Sequence, residues 1–217
     1  MDKKDLFEKV KPLVEHNLTV EQKAKLYDDW GATYEETMQG VECNGPEKCA
    51  EVVCKYFPES REHVVVFDVG TGTGLAAEEM LKRGFKIFDG LDPSQGMLKE
   101  AEKKKIFRHL YCSFFTSEPI STLLPNSYDL LTVVGSYNHG HIPYDAIIEM
   151  IRLTKPGGFI CIVNRRSPFL QLPEYVDNFF PLCDQLEQEG KWKKEEITTF
   201  SGFMGEADGI VIIYRVK

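Results

Sequence analysis

Residues 64–75 read VVVFDVGTGTGL, an apolar run interrupted by Asp68 that gives way at residue 70 to three glycines in alternate positions. A short continuous apolar run ahead of turn residues is the pattern of a strand buried on both faces, as in a parallel sheet. The glycines at its end have separate uses. Gly70 permits a tight turn, Gly72 removes a Cβ so that a ligand can approach the backbone, and Gly74 begins a helix whose free N–H groups attract an acceptor. Open parallel sheets hold their ligands beyond the C-terminal ends of the strands, where the strand order reverses.

Downstream, strand-like and helix-like segments alternate. LAAEEMLKR reads as a helix with Ala76, Ala77, Met80 and Leu81 on one face and Gly84 as its stop. FKIFDGLD is a second strand, PSQGMLKEAEKKK a second helix with proline at a favourable first position, and residues 109–114 a third strand. YDLLTVVG is a fourth strand; a helix then starts at Pro143, with Ile147, Ile148 and Ile151 inward, and TKPGG terminates it before a fifth strand, FICIV. The Lys103–Lys105 cluster reads as a solvated helix end. The last two strand-like runs, KWKKEEITTF and GIVIIYRVK, form an antiparallel pair at the sheet edge. The expected class is α/β: a Rossmann-like, mostly parallel seven-stranded sheet with helices on both faces and an antiparallel C-terminal pair.

Before this pattern, Thr19 and Gln22 form a candidate capping box, and Val20, Ala24, Tyr27, Gly31 and Tyr34 recur at helical spacing with Trp30 beside them. A second helical stretch spans about residues 47–57 and stops at Pro58. With 217 residues, 42% of them hydrophobic, one core is expected, so the chain is read as one domain: a helical segment over 1–62 and the sheet over 63–217. A net charge of −8 argues against nucleic acid or an anionic membrane as partner. No stretch reaches the ~18 apolar residues of a membrane span, and the opening residues lack a signal-peptide core, so an intracellular, cytoplasmic, soluble monomer is expected. Six cysteines make no disulfide framework in such a chain, and Cys43, Cys49, Cys54 and His63 fit no zinc spacing.

Asp92 ends the second strand, where a carboxylate accepts hydrogen bonds from both hydroxyls of a ribose. A dinucleotide fingerprint would place a small residue at position 75, where this chain has Leu75. That side chain crowds the place of a pyrophosphate, so a nucleoside without a phosphate bridge is expected.

Together, VFDVGTGTG, Asp92, YDLLTVVG and LTKPGGFICIV resemble the class I S-adenosylmethionine-dependent methyltransferases, over about residues 27–163. RGFKIFDGLDPSQGMLKEA, HLYCSFF and RLTKPGGFICIVNRR more narrowly resemble the methyltransferase-like group named after the Williams-Beuren syndrome region. The resemblance implies S-adenosylmethionine as cofactor. Gly70, Thr71, Gly72 and Gly74 would wrap its methionine part, with Asp68 below them orienting the loop or the amino group. Asp92 would hold the ribose, Pro93 and Met97 would pack on the adenine, and Cys112, Ser113 and Phe114 stand where many members carry an adenine-binding acid. Gly135 would face the sulfonium region, and the stripe of Tyr27, Trp30 and Tyr34 resembles the family's N-terminal lid.

A sulfonium methyl is already activated, so a nucleophile held in line with the S–CH3 bond suffices, and a general base is needed only for an acceptor that must lose a proton. GSYNHGHIPY, after the fourth strand, offers Tyr137, His139 and His141 for that role, with Asn138 as a further anchor. It lacks the Asn/Asp-Pro-Pro-aromatic run of the amine and nucleobase methylases it would otherwise resemble, which leaves a small-molecule acceptor. Arg165, Arg166, Phe169 and Tyr175 follow the fifth strand as candidate lining for the acceptor pocket. The competing readings are a non-catalytic cofactor-binding module and, disfavoured by Leu75, a nicotinamide-dependent oxidoreductase.

Overall fold

A computed structural model describes residues 18–217; residues 1–17, which include the stretch read for a signal peptide, lie outside the described residues. The strands are β1 (Val65–Val69), β2 (Ile87–Asp92), β3 (Phe107–Cys112), β4 (Tyr128–Val134), β5 (Thr154–Arg165), β6 (Trp192–Met204) and β7 (Ala207–Val216). They form one seven-stranded sheet in the order β3-β2-β1-β4-β5-β7-β6. The first five are parallel, and β7 runs antiparallel to both β5 and β6. The fold class is therefore the expected one. After β1 the chain steps outward through β2 to β3 and returns to the other side of β1 for β4. The strand order reverses between β1 and β4, and the glycine loop sits there.

The strand period decides which face each side chain serves. Phe67, Val69, Leu131, Val133, Ile160, Ile162 and Ile212 belong to the core on one face of the sheet. Val66, Leu130, Cys161, Val163, Val211 and Ile213 belong to the core on the other. The helices are α1 (Val20–Gly40), α2 (Gly45–Tyr56), α3 (Leu75–Lys82), α4 (Gln95–Lys103), α5 (Ile147–Leu153), the short turns α6 (Pro168–Gln171) and α7 (Pro173–Val176), and α8 (Phe179–Gln188). The capping box of α1 is present: Gln22 N donates to Thr19 Oγ1 at 3.3 Å and Thr19 N to Gln22 Oε1 at 2.8 Å.

Four local expectations shift. The third strand begins at Phe107 and ends at Cys112, in register with Asp92, rather than at residue 114. A 3-10 turn over Tyr144–Ala146 precedes α5, and the exposed side chain of Ile148 does not join the inward face. TKPGG lies inside β5, where the register against β4 jumps between Tyr128 and Leu130. Glycine makes that possible: Gly157 has φ +85°, and a Cβ on Gly158 would lie 2.8 Å from the Asp129 carbonyl oxygen. The region after β5 carries α8, which the sequence pattern did not announce.

Candidate active site

A cavity of about 530 Å³ opens at the ends of β1 and β4, floored by the glycine loop and roofed by α1. Gly70, Gly72 and Gly74 all have positive φ, at +67°, +55° and +88°. At Gly70 an added Cβ would run into the Ser136 side chain, so the turn and the loop after β4 can close on each other only without one. Gly72 is different: an added Cβ would meet nothing within 4 Å, and the backbone there faces open space in the cavity wall. Gly74 lies off the cavity and packs against the Phe107 ring, which brings α3 onto the sheet.

Two carboxyls support the loop. Asp68 is register partner to Thr132 across β1 and β4, and Thr132 Oγ1 and Thr71 Oγ1 each donate to it at 2.6 Å. Burial raises its pKa to about 6, against the two hydroxyl donors, which lower it. Asp92 Oδ2 accepts from Gly72 N and Oδ1 from Ser94 N, both at 2.9 Å. Burial also lifts Asp92 to about 6, opposed by those same two backbone donors. Each Asp92 oxygen keeps acceptor capacity for a further donor.

The roof is fixed at both ends of the cavity. Asp28 Oδ1 accepts from Ser94 Oγ at 2.7 Å and from Gly96 N at 2.8 Å, so α1 supplies an acceptor to the N-terminus of α4 beside Asp92. Towards the loop after β4, Lys23 Nζ donates to the His139 carbonyl at 2.6 Å, and Tyr27 Oη lies 3.0 Å from His141 Nε2. His141 Nδ1 is 3.0 Å from that same carbonyl. A carbonyl only accepts, so Nδ1 carries the proton, and the Tyr27 hydroxyl donates to the bare Nε2. Burial, the largest influence, lowers the His141 pKa to about 4 and keeps the ring neutral.

Of the residues read from sequence, Tyr27, Trp30, Tyr34, Asp68, Gly70, Thr71, Gly72, Asp92, Pro93, Met97, Phe114, Gly135, His139 and His141 line this one cavity. Cys112 and Ser113 do not: β3 ends at Cys112, whose exposed thiol turns to the Pro93 carbonyl, and Phe114, Phe115 and Thr116 reach the cavity instead. Tyr137 contributes to the wall, but its side chain is fully buried against Phe169, Tyr175 and Phe179 with its hydroxyl on Met150 Sδ, which removes the phenol from any catalytic role. Phe169 and Tyr175 are core rather than pocket residues, and the Tyr175 hydroxyl holds the Asn138 and Ile142 carbonyls. Arg165 is at the cavity and Arg166 is not. The sequence reading missed Lys23, Ser136, Asn164, Glu174, Phe203 and Met204. Phe203 and Met204 come from the far end of β6, which folds back so that Met204 bridges Cys43; no local pattern announces that return.

The wall suits a nucleoside with an amino-acid tail. Thr73 Oγ1 is buried without a hydrogen-bond partner among the described residues, an orphan that a polar ligand can satisfy. Asp92 has oxygens to spare for hydroxyls, and an open backbone stands at Gly72. A model of the methyltransferase domain family matches residues 67–162, from within β1 to within β5. Human methyltransferase-like protein 27 is 31% identical over 173 residues, covering 79% of this chain and 69% of that protein. The chain belongs to the class I S-adenosylmethionine-dependent methyltransferases. S-adenosylmethionine is accordingly its cofactor. A putative methyltransferase from the complex with the Haloferax volcanii Trm112 methyltransferase activator shares the fold, with a TM-score of 0.64 at 17% identity over 88% of this chain and 97% of that one. A SAM-dependent methyltransferase of Aquifex aeolicus does likewise, with a TM-score of 0.58 at 18% identity over 91% and 98%. No helix among the described residues of the methyltransferase is long and apolar enough to cross a membrane.

Proposed function

We propose that this methyltransferase transfers a methyl group to a small-molecule acceptor bound beneath α1. The carrying observation is one continuous cavity that runs from Asp92 and Met97 past the glycine loop to Asn164 and Arg165 at the end of β5, under the roof of α1. Such a covered space suits a small acceptor better than a polymer strand.

When bound, S-adenosylmethionine supplies a methyl group on a sulfonium that needs no further activation. Asp92 accepts from the ribose hydroxyls while Gly72 and Ser94 N–H groups orient its carboxylate. Pro93 and Met97 pack on one side of the adenine and Phe114 reaches the same end of the cavity. Gly70–Thr71–Gly72 give the methionine part a backbone wall, which Asp68 stiffens through its two threonines. Tyr27, Trp30 and Tyr34 form the aromatic underside of the roof, with Trp30 4.9 Å from Tyr34 between ring centres. Their faces favour a cation, and the closed helix excludes water. Gly135 leaves the space at the end of β4 where the acceptor approaches.

For an acceptor that carries an O–H or N–H, the Tyr27–His141 pair offers an anchor. The Tyr27 oxygen, whose own hydrogen is donated to the neutral His141 Nε2, accepts a hydrogen bond from the acceptor's O–H or N–H and so orients the nucleophile. His141→Gln should then lower kcat about 10²-fold with such an acceptor and leave cofactor affinity unchanged. His139, which keeps its carbonyl in this contact, acts through position.

The test is transfer of a labelled methyl from S-adenosylmethionine into a cell extract split by ultrafiltration. Label should enter the low-mass fraction with wild type and, at cofactor concentrations below saturation, more slowly with Asp92→Ala. Label in protein or nucleic acid would overturn the small-molecule reading, and cofactor binding without transfer to either fraction would make the protein a binding module.

A further inference from the structure

The wall of the cavity contains a cation that the proposed methyl transfer does not use. Arg165 is the last residue of β5, in register with Gly209 of β7 and two strands away from β1. It lines the cavity, is half-buried, and its guanidinium has no hydrogen-bond or ion-pair partner among the described residues. Burial lowers its pKa, yet a guanidinium stays charged. A charge partly removed from water without a partner is unfavourable unless a ligand supplies one.

The carboxyls around the cavity are engaged elsewhere. Asp68 is held by two threonines and Asp92 by two backbone amides on the β1–β2 side. Glu174 stands 3.8 Å from His139 in the field of Lys23. The cavity lining also includes the apolar Pro168, Phe203 and Met204. The guanidinium fork fits a carboxylate in two parallel hydrogen bonds. The single charge of a carboxylate balances the single charge of the guanidinium.

We propose that Arg165 selects the acceptor: a molecule with an apolar body that carries one carboxylate, seated on the guanidinium while its nucleophile points toward the end of β4. The inference rests on the reading of the cavity as a joint cofactor and acceptor site.

Protein saturated with S-adenosylhomocysteine is titrated calorimetrically with octanoate, benzoate and naphthoate, and with the amide of each. At least one carboxylate should bind about tenfold or more tightly than its amide, the worth of a charge-assisted pair. Arg165→Met should abolish that preference and Arg165→Lys keep part of it, both with S-adenosylhomocysteine affinity within about twofold of wild type. Equal binding of acid and amide to wild type across the panel, or binding of neither, overturns the proposal without any variant. A preference that survives in Arg165→Met overturns it as well. A large loss of S-adenosylhomocysteine affinity in either variant would overturn it by assigning Arg165 to the cofactor's own carboxylate. Failure of wild type to bind S-adenosylhomocysteine would instead remove the cofactor placement on which the inference stands.

Discussion

Asp92 answers two opposing demands. Burial raises its pKa from the ordinary 3.8 to about 6. The empty folded protein thus holds this proton more tightly than the unfolded chain. Its contribution to stability is full below the unfolded value and is lost as pH rises through the folded one. Ribose hydroxyls on Asp92, as proposed, would reverse the sign, because only the anion accepts from all of its donors. Affinity for S-adenosylmethionine should therefore fall as pH drops from about 7 to about 5, followed by calorimetry with circular dichroism as the folding control. Asp92→Asn should flatten that profile, and Asp92→Ala should cost about 1–3 kcal/mol of binding at neutral pH. His141 supplies the internal control. Burial depresses its pKa to about 4, so the neutral ring and its Tyr27 bond persist until pH falls towards that value. A binding loss with a midpoint near 4 that disappears in His141→Gln would assign the effect to His141 and not to Asp92.

The crossing of α1 over α4 decides where the roof sits. An added Cβ on Gly31 would lie 2.7 Å from the Gly96 carbonyl oxygen, and one on Gly96 would collide with the backbone of Asp28. Both obstacles are main chain and cannot swing aside. Gly31→Ala should push α1 off α4, destabilise the fold by about 1–3 kcal/mol in chemical denaturation, and weaken cofactor binding with it. Asp28→Ala leaves the crossing distance alone but strips acceptors from Ser94 and Gly96; full cofactor affinity in that variant would mean that contact alone fixes the roof. The aromatic stripe and the capping box of α1 were readable because they follow the helical period. Gly31 read as one more position on that stripe, since its partner lies on another helix. The same limit explains the site. VVVFDVGTGTG and Asp92 are local patterns with local reasons. The wall of Asn164, Arg165, Glu174, Phe203 and Met204 is assembled from β5, α7 and β6. Phe169 and Tyr175 looked like pocket residues because aromatic side chains after a strand end carry no mark of which way they turn.

Across the whole molecule, the sheet and the roof are held by different means. The sheet has a continuous apolar core on each face, and its antiparallel end is closed by Trp192 stacked on Tyr214 at 3.8 Å. α1 has a small apolar cluster around Trp30 and Met38 and otherwise depends on polar ties: Asp28 to α4, Glu35 to Lys104, and Lys23 and Tyr27 to the loop after β4. Elements with little buried apolar contact open at lower free energy than the core beneath them. A ligand bound between roof and sheet adds contacts to both and should close that gap. In hydrogen exchange, S-adenosylhomocysteine at saturation should slow amides across residues 20–40, 70–75 and 135–143, which open locally, while core amides of β7 that exchange only through global unfolding should slow by the global gain alone. At about a hundredfold excess over Kd the global gain should approach about 2.7 kcal/mol if unfolding is two-state. The distribution carries the stronger test. Protection confined to residues 70–75, with α1 unchanged, would mean that the cofactor binds the glycine loop without engaging its roof. The aromatic stripe would then serve only to pack α1, and the acceptor would approach from open solvent. Protection of α1 together with the loop after β4 would tie both ends of the roof to one binding event, as expected if closure forms the acceptor chamber.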